Sequence, residues 1–291
     1  MKESATQVIE GDAAATAAPA VQWKKRDYDK ELTRLRRIRF VIVSFPKSGR
    51  TWHRVMLGRY LAAMCGLPER DAFDLPQLCD AAAINRIAYS HNGANFDDGH
   101  QITHPLFASP ALWQDRRVML IVRNPKDILV SAYHHARFRN FTFAGTLSEF
   151  VRDPRTGIIK IMAAMNRWHD NSRLAAQFDV VSYEGMHRSP EQVLRTTLRR
   201  AGVVEIDEAL IRETVEFCRF EKMQEYEQTN FFQSVRLSNP SHDPRANKVR
   251  AGRVEGYRDY LSAEDDAFID AHVRSVGDPF ASLAGGPANA S

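Results

Sequence analysis

The chain has few cysteines, and their number and spacing fit neither a zinc site nor a complete set of disulfides. Its 291 residues include three, at Cys65, Cys79 and Cys218. They lack the paired spacing of a zinc site, and an odd number leaves at least one thiol without a disulfide partner. This pattern is typical of a reducing compartment, so the expected location is cytoplasmic.

Long apolar runs and a large charge excess are also missing. No apolar run approaches the roughly 20 residues that span a bilayer, so no membrane span is expected. The 40 basic and 36 acidic residues leave a net charge of only +4, which does not indicate a nucleic-acid partner. Basic residues do cluster within 24–39, where we expect a solvated helix face.

The two ends of the chain differ from the rest in composition. Residues 1–26 are alanine-rich and polar without the apolar core of a signal peptide, and residues 281–291 are mostly small. Both segments are expected to be disordered tails. The segment 27–280 between them is long enough for one large hydrophobic core, so a single domain is predicted.

Apolar runs with strand character alternate with helical stretches through this domain. The strand-like runs lie near 39–44, 86–90, 117–122 and 178–183, and the helical stretches near 51–64, 125–137, 159–177, 189–202 and 262–274. This alternation predicts an α/β fold with a central parallel sheet flanked by helices. The stretch 230–256 has no clear period, and a connection of that length is usually functional.

The most informative segment is 39–52, where an apolar run is followed by a Pro-Lys-Ser-Gly turn and a helical pattern. Strand, tight turn and helix start form a phosphate site, because the first helical N–H groups and the helix dipole attract anions. Lys47 adds a charge, and Ser48 and Thr51 add hydroxyl donors. Gly49 allows close backbone approach.

A second segment also points to a phosphate. The run 117–122 is apolar enough for a strand buried on both faces, and Asn124 and Pro125 are typical of the start of a helix. Arg123 therefore lies at the carboxyl end of a strand, where open α/β sheets bind ligands. Ser131 follows about two helical turns later. A forked guanidinium and a hydroxyl suit a phosphate group.

These two segments resemble the sulfotransferase family, whose donor is PAPS (3′-phosphoadenosine 5′-phosphosulfate). Pro-Lys-Ser-Gly-x-Thr-Trp is similar to the family's P-loop-like turn for the 5′-phosphosulfate, and Arg-Asn-Pro-Lys-Asp-x-x-x-Ser is similar to its segment for the 3′-phosphate. The resemblance covers about 36–275. It implies that the 5′-phosphosulfate is held by Lys47, Ser48, Gly49, Arg50 and Thr51. It implies that the 3′-phosphate is held by Arg123 and Ser131.

Three shorter segments extend the resemblance. Residues 248–257 resemble the family's Arg-x-Gly loop, which implies that Arg250 and Gly252 also contact the 3′-phosphate. Ala251 departs from the cation that is common between them. Tyr183 and Phe220 lie in segments similar to those whose aromatic rings contact the adenosine, and Trp52 would cover the other adenine face. Core packing explains each of these rings equally well.

The general base has two candidates. The resemblance implies a His between the two nucleotide segments that takes the acceptor's proton, a task suited to an imidazole near neutral pH. His91 follows the run 86–90, and His104 lies in a Thr-His-Pro sequence similar to that of cytosolic members. We favour His91 because a strand would hold it rigidly. His104 stays open as the alternative.

A metal is not expected. Asp97, Asp98, His100 and His104 lie close in sequence, but Gly and Pro flank the two histidines and disfavour the helix that would align them. The implied chemistry needs no metal either. Lys47 would stabilise charge on the bridging oxygen as the bond to sulfur breaks.

The predicted function is transfer of a sulfuryl group from PAPS to a hydroxyl or amine of a small molecule, glycan or lipid. Two alternatives stay open. A P-loop-type ATP-dependent kinase is disfavoured because Lys47 precedes Gly49, unlike the G-x-x-x-x-G-K-[ST] order. A non-catalytic nucleotide-binding relative is the other. Four aromatic residues fit either an apolar acceptor pocket or the core: Phe138, Phe141, Phe143 and Trp168.

Overall fold

The computed structural model describes residues 24, 27–99, 110–239, 241 and 243–284. Four strands form one sheet in this part of the chain: β1 (Phe40–Ser44), β2 (Ile87–Ser90), β3 (Arg117–Val122) and β4 (Gln177–Ser182). Their order is β2-β1-β3-β4, and every neighbouring pair is parallel. The predicted α/β fold with a central parallel sheet is confirmed.

Twelve α-helices surround this sheet within the described ranges. They are α1 (Tyr28–Leu35), α2 (Arg50–Met64), α3 (Leu75–Ala81), α4 (Pro125–His134), α5 (Leu147–Arg152), α6 (Ile158–Asp170), α7 (Tyr183–Arg188), α8 (Pro190–Ala201), α9 (Glu208–Phe217), α10 (Phe220–Thr229), α11 (Ala263–Val276) and α12 (Ala281–Ala284). No helix in the part of the chain that the structure describes is long and apolar enough to cross a membrane.

The core lies on both faces of the sheet. Successive side chains of a strand point to opposite faces, and in β1 Phe40 and Ile42 join one buried cluster while Val41 and Val43 join the other. Helices α2 and α8 supply much of the first cluster, and α4 and α6 much of the second. This is why β1 is apolar at nearly every position.

Three boundaries differ from the sequence prediction. The helix expected over 159–177 ends at Asp170, because a 3₁₀ turn occupies Ser172–Leu174 and β4 starts at Gln177. The α-helix expected over 125–137 ends at His134 and continues as a π-helical turn, His135–Arg139. Residues 281–284, which we assigned to the C-terminal tail, form α12, whose Leu283 carbonyl accepts a hydrogen bond from Ser182 Oγ.

Gly58 is a position where stability can be tested. It lies in α2 against a 3₁₀ helix, Glu69–Phe73, and a Cβ at this position would lie 1.9 Å from the backbone oxygen of Ala72. Backbone cannot move aside cheaply, so we expect Gly58→Ala to lower the free energy of unfolding by about 2–3 kcal/mol or more. Urea denaturation measures this change. Met64→Ala, at the 37% exposed end of the same helix, is the control with little expected loss.

Candidate active site

A cavity of about 490 Å³ opens at the carboxyl edge of the sheet. Each strand delivers a residue to it within three positions of its end: Lys47 after β1, His91 after β2, Arg123 after β3 and Tyr183 after β4. The predicted site residues that line it are Lys47, Gly49, Arg50, Thr51, Trp52, His91, Arg123, Ser131, Tyr183, Phe220, Arg250 and Gly252. Ser48 lies fully buried outside the lining, and His104 lies outside the described residues.

The turn between β1 and α2 has an unusual backbone. Lys47 has a φ of 75° and Gly49 a φ of 93°, so the chain twice enters the left-handed region. A Cβ on Gly49 would also approach Tyr183 Cδ2 to 2.6 Å, which excludes other residues here. Ser48 Oγ is buried with no hydrogen-bond partner in the described structure. The turn therefore aims backbone donors at the cavity from the start of α2.

Arg123 joins this turn to the 248–257 loop. Its Nη1 donates to the Lys47 carbonyl at 3.1 Å, and its Nη2 donates to the Arg253 carbonyl at 3.3 Å. The guanidinium carbon lies 4.0 Å from the centre of the Tyr183 ring. Arg123 Nε is buried and has no hydrogen-bond partner among the described residues, so the group retains a donor. As predicted, Asn124 caps α4 and Pro125 is its first residue.

Two buried carboxylates fix the 248–257 loop, and the sequence analysis assigned a role to neither. Glu227 accepts hydrogen bonds from the backbone N–H groups of Lys248 and Val249, both at 2.8 Å. Asp127 accepts from those of Glu255 and Tyr257, at 2.9 and 3.0 Å. The only sequence signal was the inclusion of Asp127 in the Arg-Asn-Pro-Lys-Asp segment. Because the loop is bound through its backbone, its side chains are left to line the cavity.

Aromatic rings also line the cavity, and one of them, Tyr183, lies next to Arg123. Trp52 Nε1 donates to the Cys218 carbonyl at 2.9 Å, and the Trp52 ring lies 4.9 Å from that of His187. Tyr183 lies 4.6 Å from the same His187 ring. His187 is a member of this group that the sequence analysis missed. A flat base fits beside such rings, because aromatic faces stack on nucleobases.

Phe220 also lines the cavity and rests against Gly252, which offers a test. Gly252 has a φ of 59°, and a Cβ there would lie 2.0 Å from two carbons of the Phe220 ring. We expect Gly252→Ala to displace this ring and weaken nucleotide binding by at least about tenfold, or about 1.4 kcal/mol, in a calorimetric titration. Gly66→Ala, with a φ of 66° and nothing within 4 Å, is the matched control for backbone strain. Equal losses in both variants would contradict the contact argument.

The cavity concentrates positive charge. Burial, together with the neighbouring Arg139, Arg123 and Arg250, lowers the pKa of Lys47 to about 7, although Glu227 acts in the opposite direction. Burial likewise lowers the pKa of Lys248, which the sequence analysis did not single out, to about 6. The Glu227 carboxylate partly offsets these shifts, because it raises the pKa of both Lys47 and Lys248. An anion in the cavity would raise both pKa values further.

His91 is held in one orientation. Its Nδ1 lies 2.7 Å from the carbonyl oxygen of Ser44 at the end of β1. A carbonyl oxygen only accepts, so Nδ1 must carry the proton, and Nε2 then carries the lone pair in the neutral ring. The next residue is held too, because Asn92 N–H donates to Ser90 Oγ at 2.8 Å. The ring can therefore accept a proton through Nε2.

The remaining candidate groups lie elsewhere or have other contacts. The four aromatic residues considered for an acceptor pocket do not line the cavity; Trp168, for example, is buried with its ring 5.1 Å from that of Trp113. The three cysteines are free thiols. Among the described residues no three His, Cys, Asp or Glu side chains are grouped to hold a metal ion, and His100 and His104 lie outside them.

Comparison with known protein sequences identifies related chains. Mouse sulfotransferase 4A1 is 30% identical over 108 residues, which are 36% of this chain and 37% of that protein. Human sulfotransferase 1C2 is 23% identical over 176 residues, or 57% of each chain. The chain thus aligns with 37% to 57% of the length of these relatives.

Solved structures share the fold. Mouse sulfotransferase SULT7A1 in complex with PAP superposes with a TM-score of 0.54 at 15% identity, over 84% of this chain and 88% of that one. Retinol dehydratase in complex with retinol and PAP gives 0.61 at 15% identity, over 86% of each chain, and its complex with androsterone and PAP gives 0.52 at 14% identity, over 81% of this chain and 80% of that one.

The family model of the sulfotransferase domain matches residues 37–281. This range contains the whole sheet and every described residue that the sequence analysis assigned to the site. The predicted resemblance over about 36–275 agrees with it closely. The chain belongs to the sulfotransferase family.

Proposed function

We propose that the protein transfers a sulfuryl group from PAPS to a hydroxyl or amine of an acceptor. The observation that carries this proposal is the convergence on one cavity of the 46–51 turn, Arg123, Ser131, Arg250 and a base-competent His91. The turn suits one anionic group, and the two arginines with Ser131 suit a second. A nucleotide phosphorylated at both the 5′ and 3′ positions has two such groups.

The residues present fit this donor. Arg123 Nε is a buried donor that has no hydrogen-bond partner in the described structure, and an oxyanion in the cavity would satisfy a donor of this kind. Burial and the charges of Arg139, Arg123 and Arg250 lower the pKa of Lys47, so binding of a polyanion would stabilise its ammonium group and relieve the repulsion among these cations. Trp52, Tyr183 and Phe220 supply ring faces and edges for the adenine.

PAPS supplies an activated sulfuryl group, whose bond to the phosphate oxygen breaks as the acceptor oxygen bonds to sulfur. The chain's own residues serve that step in three ways. Lys47 donates to the bridging oxygen as it gains negative charge, which is electrostatic stabilisation. His91 Nε2 accepts the acceptor's proton, and its Nδ1–H bond to Ser44 keeps the ring in place. Arg123, Ser131 and Arg250 orient the donor.

The test is a calorimetric titration with 3′-phosphoadenosine 5′-phosphate (PAP), the donor without its sulfuryl group, beside ADP and ATP. We expect PAP to bind at least about 100-fold more tightly than ADP, since ADP lacks the 3′-phosphate, whose charge-assisted hydrogen bonds add about 3 kcal/mol. Arg123→Ala should abolish most of this preference. The matched control is Arg86→Ala, because Arg86 lies outside the cavity, is exposed and is paired with Asp80.

Equal affinity for PAP and ADP would contradict the assignment of Arg123. Preference for ATP would favour the kinase alternative. Tight PAP binding without transfer to any acceptor would favour a non-catalytic relative. The cytoplasmic location stays a prediction.

A further inference from the structure

The cavity has a wall beside His91 that the donor does not explain. The loop that follows β2 forms part of it, and its Ala94 N–H donates to the His91 carbonyl at 2.9 Å. Asn95, Phe96 and Asp97 of this loop line the cavity, and so does His135, whose ring is 5.8 Å from that of Phe96. We call Asn95, Phe96, Asp97 and His135 the acceptor wall. Three of its four side chains are polar.

Asn95 presents an amide oxygen whose orientation is determined by its neighbours. Tyr28 donates its hydroxyl proton to Asp98, so the Tyr28 oxygen can only accept from the Asn95 amide group, at 3.4 Å. The NH₂ end of Asn95 therefore faces Tyr28, and the Oδ1 end faces away. Asn95 is only 3% exposed, and this oxygen is buried without a hydrogen-bond partner in the described structure. A buried acceptor without a donor is costly, so a ligand donor is expected.

The backbone of Asn95 is fixed as well. Its carbonyl accepts a hydrogen bond from Lys160, whose side chain is fully buried and pairs with Asp98. A polar group on such a rigid support is placed accurately, as binding sites require. The Asn95 side chain is thus a built feature of the cavity, unlike a mobile surface amide.

His135 is the second polar group without a protein partner. Its Nδ1 is buried and has no hydrogen-bond partner among the residues the structure describes. Burial lowers the pKa of this imidazole well below its usual range, and Lys47 and Lys248 lower it further, so the ring is neutral. A neutral imidazole offers one donor and one acceptor. Asn95 and His135 together present an amide acceptor and an amphoteric ring to one ligand.

An apolar acceptor would leave these groups unsatisfied. Within the described residues 90–99 and 111–135, which include the acceptor wall, the apolar side chains that line the cavity are Phe96 and Val130. The aromatic residues that suggested an apolar pocket lie elsewhere; Phe143 packs against Tyr133 and Phe150 at ring distances of 6.5 and 5.1 Å. A ligand with several hydroxyl groups would instead donate to Asn95 and exchange hydrogen bonds with His135.

We infer that the acceptor is a polyhydroxylated molecule of the sugar or polyol class, bound through Asn95 and His135. This inference rests on the proposed sulfuryl transfer. It assigns Asn95 and His135 to acceptor specificity, and it leaves donor binding to the groups described above. The Asp97 carboxylate of the same wall accepts a hydrogen bond from Asn140 at 3.0 Å and lies 3.4 Å from Lys24 Nζ, so the inference does not depend on it.

The experiment measures transfer of labelled sulfate from PAPS to glucose, glucosamine and myo-inositol, beside retinol and androsterone. We expect kcat/KM for at least one polyhydroxylated acceptor to exceed that for the two apolar alcohols by at least about tenfold. Asn95→Leu and His135→Phe should each lower it about tenfold by raising KM, which corresponds to about 1.4 kcal/mol per lost contact. PAP affinity should stay unchanged in both. Phe143→Leu, outside the cavity, is the control and should change neither quantity.

The outcomes separate the two proposals. PAP binding with faster transfer to retinol or androsterone overturns the acceptor class and leaves sulfuryl transfer standing. Unchanged polyol kinetics in both variants, with folding verified by circular dichroism, overturns the role of Asn95 and His135. PAP binding with transfer to no acceptor overturns the polyol inference and favours a non-catalytic relative. Absence of PAP binding overturns the proposed function itself.

Discussion

Replacing Lys47 with methionine is expected to lower kcat by about 10²- to 10³-fold, the usual cost of removing one group that stabilises a developing oxyanion. Methionine retains much of the length of the side chain and removes its charge. The effect should fall mainly on kcat, because Arg123, Ser131 and Arg250 still hold the donor. Steady-state kinetics at saturating PAPS measures it. Lys222→Met is the control, since Lys222 is exposed and its ion pair is with Glu225.

Because of Lys47, we also expect the protein to take up protons when it binds PAP. Burial, together with Arg139, lowers the pKa of Lys47 to about 7, so at pH 8 its amine is largely neutral in the free protein. An anion beside it favours the charged form and raises the pKa, so PAP binding at pH 8 should draw a proton from the buffer. At pH 6 Lys47 is already charged and contributes no uptake. Titrations in two buffers of different ionisation enthalpy measure the difference.

Lys248, with a pKa lowered to about 6, is expected to add to this uptake. Lys47→Met should therefore reduce the uptake at pH 8 without abolishing it, and Lys248→Met should have the complementary effect. A binding enthalpy independent of buffer in the wild type would contradict the placement of both amines. A kcat retained within a few-fold in Lys47→Met would contradict the mechanism.

Some of this architecture follows directly from local sequence pattern. Strands β1 and β3 are central, buried on both faces and therefore apolar at nearly every position, which makes them recognisable. Strand β4 is an edge strand whose residues are mostly half-buried. Its pattern is less distinct, and the preceding helix was consequently extended seven residues too far, to 177 instead of Asp170. A strand with partly buried residues lacks a clear apolar pattern, so its boundary with the preceding helix is hard to predict from sequence.

The site residues also divide into those that the sequence pattern identified and those that it missed. Residues that follow a central strand, such as Lys47 and Arg123, were identified because the sheet edge itself determines where they lie. Glu227 was missed because its partners are backbone N–H groups 21 and 22 residues away, and no side-chain pattern records such bonds. The role of His135 depends on the π-helical turn that begins with it, which no sequence pattern announced. Contacts of this kind, between a side chain and a distant backbone, can be identified only from the three-dimensional structure.

His91→Asn is expected to lower kcat by about 10²- to 10⁴-fold, the range for loss of a positioned general base. Asparagine can still donate a hydrogen bond toward the Ser44 carbonyl, but it cannot accept the acceptor's proton. PAP affinity should not change, because the donor contacts are made by other residues. The measurements are kcat by sulfate transfer and PAP affinity by calorimetry. His169→Asn is the control, since His169 is exposed, lies outside the cavity and contacts Asp170.

The pH profile distinguishes loss of a base from loss of shape. An imidazole base works only when neutral, so wild-type kcat should fall on the acid side, and that limb should disappear in His91→Asn. A variant that is merely misfolded would keep the limb at a lower amplitude. His104→Asn provides the decisive comparison, because His104 is the other candidate base. If His104→Asn loses the acid limb while His91→Asn keeps it, the Nδ1–H bond to Ser44 orients His91 for some other purpose.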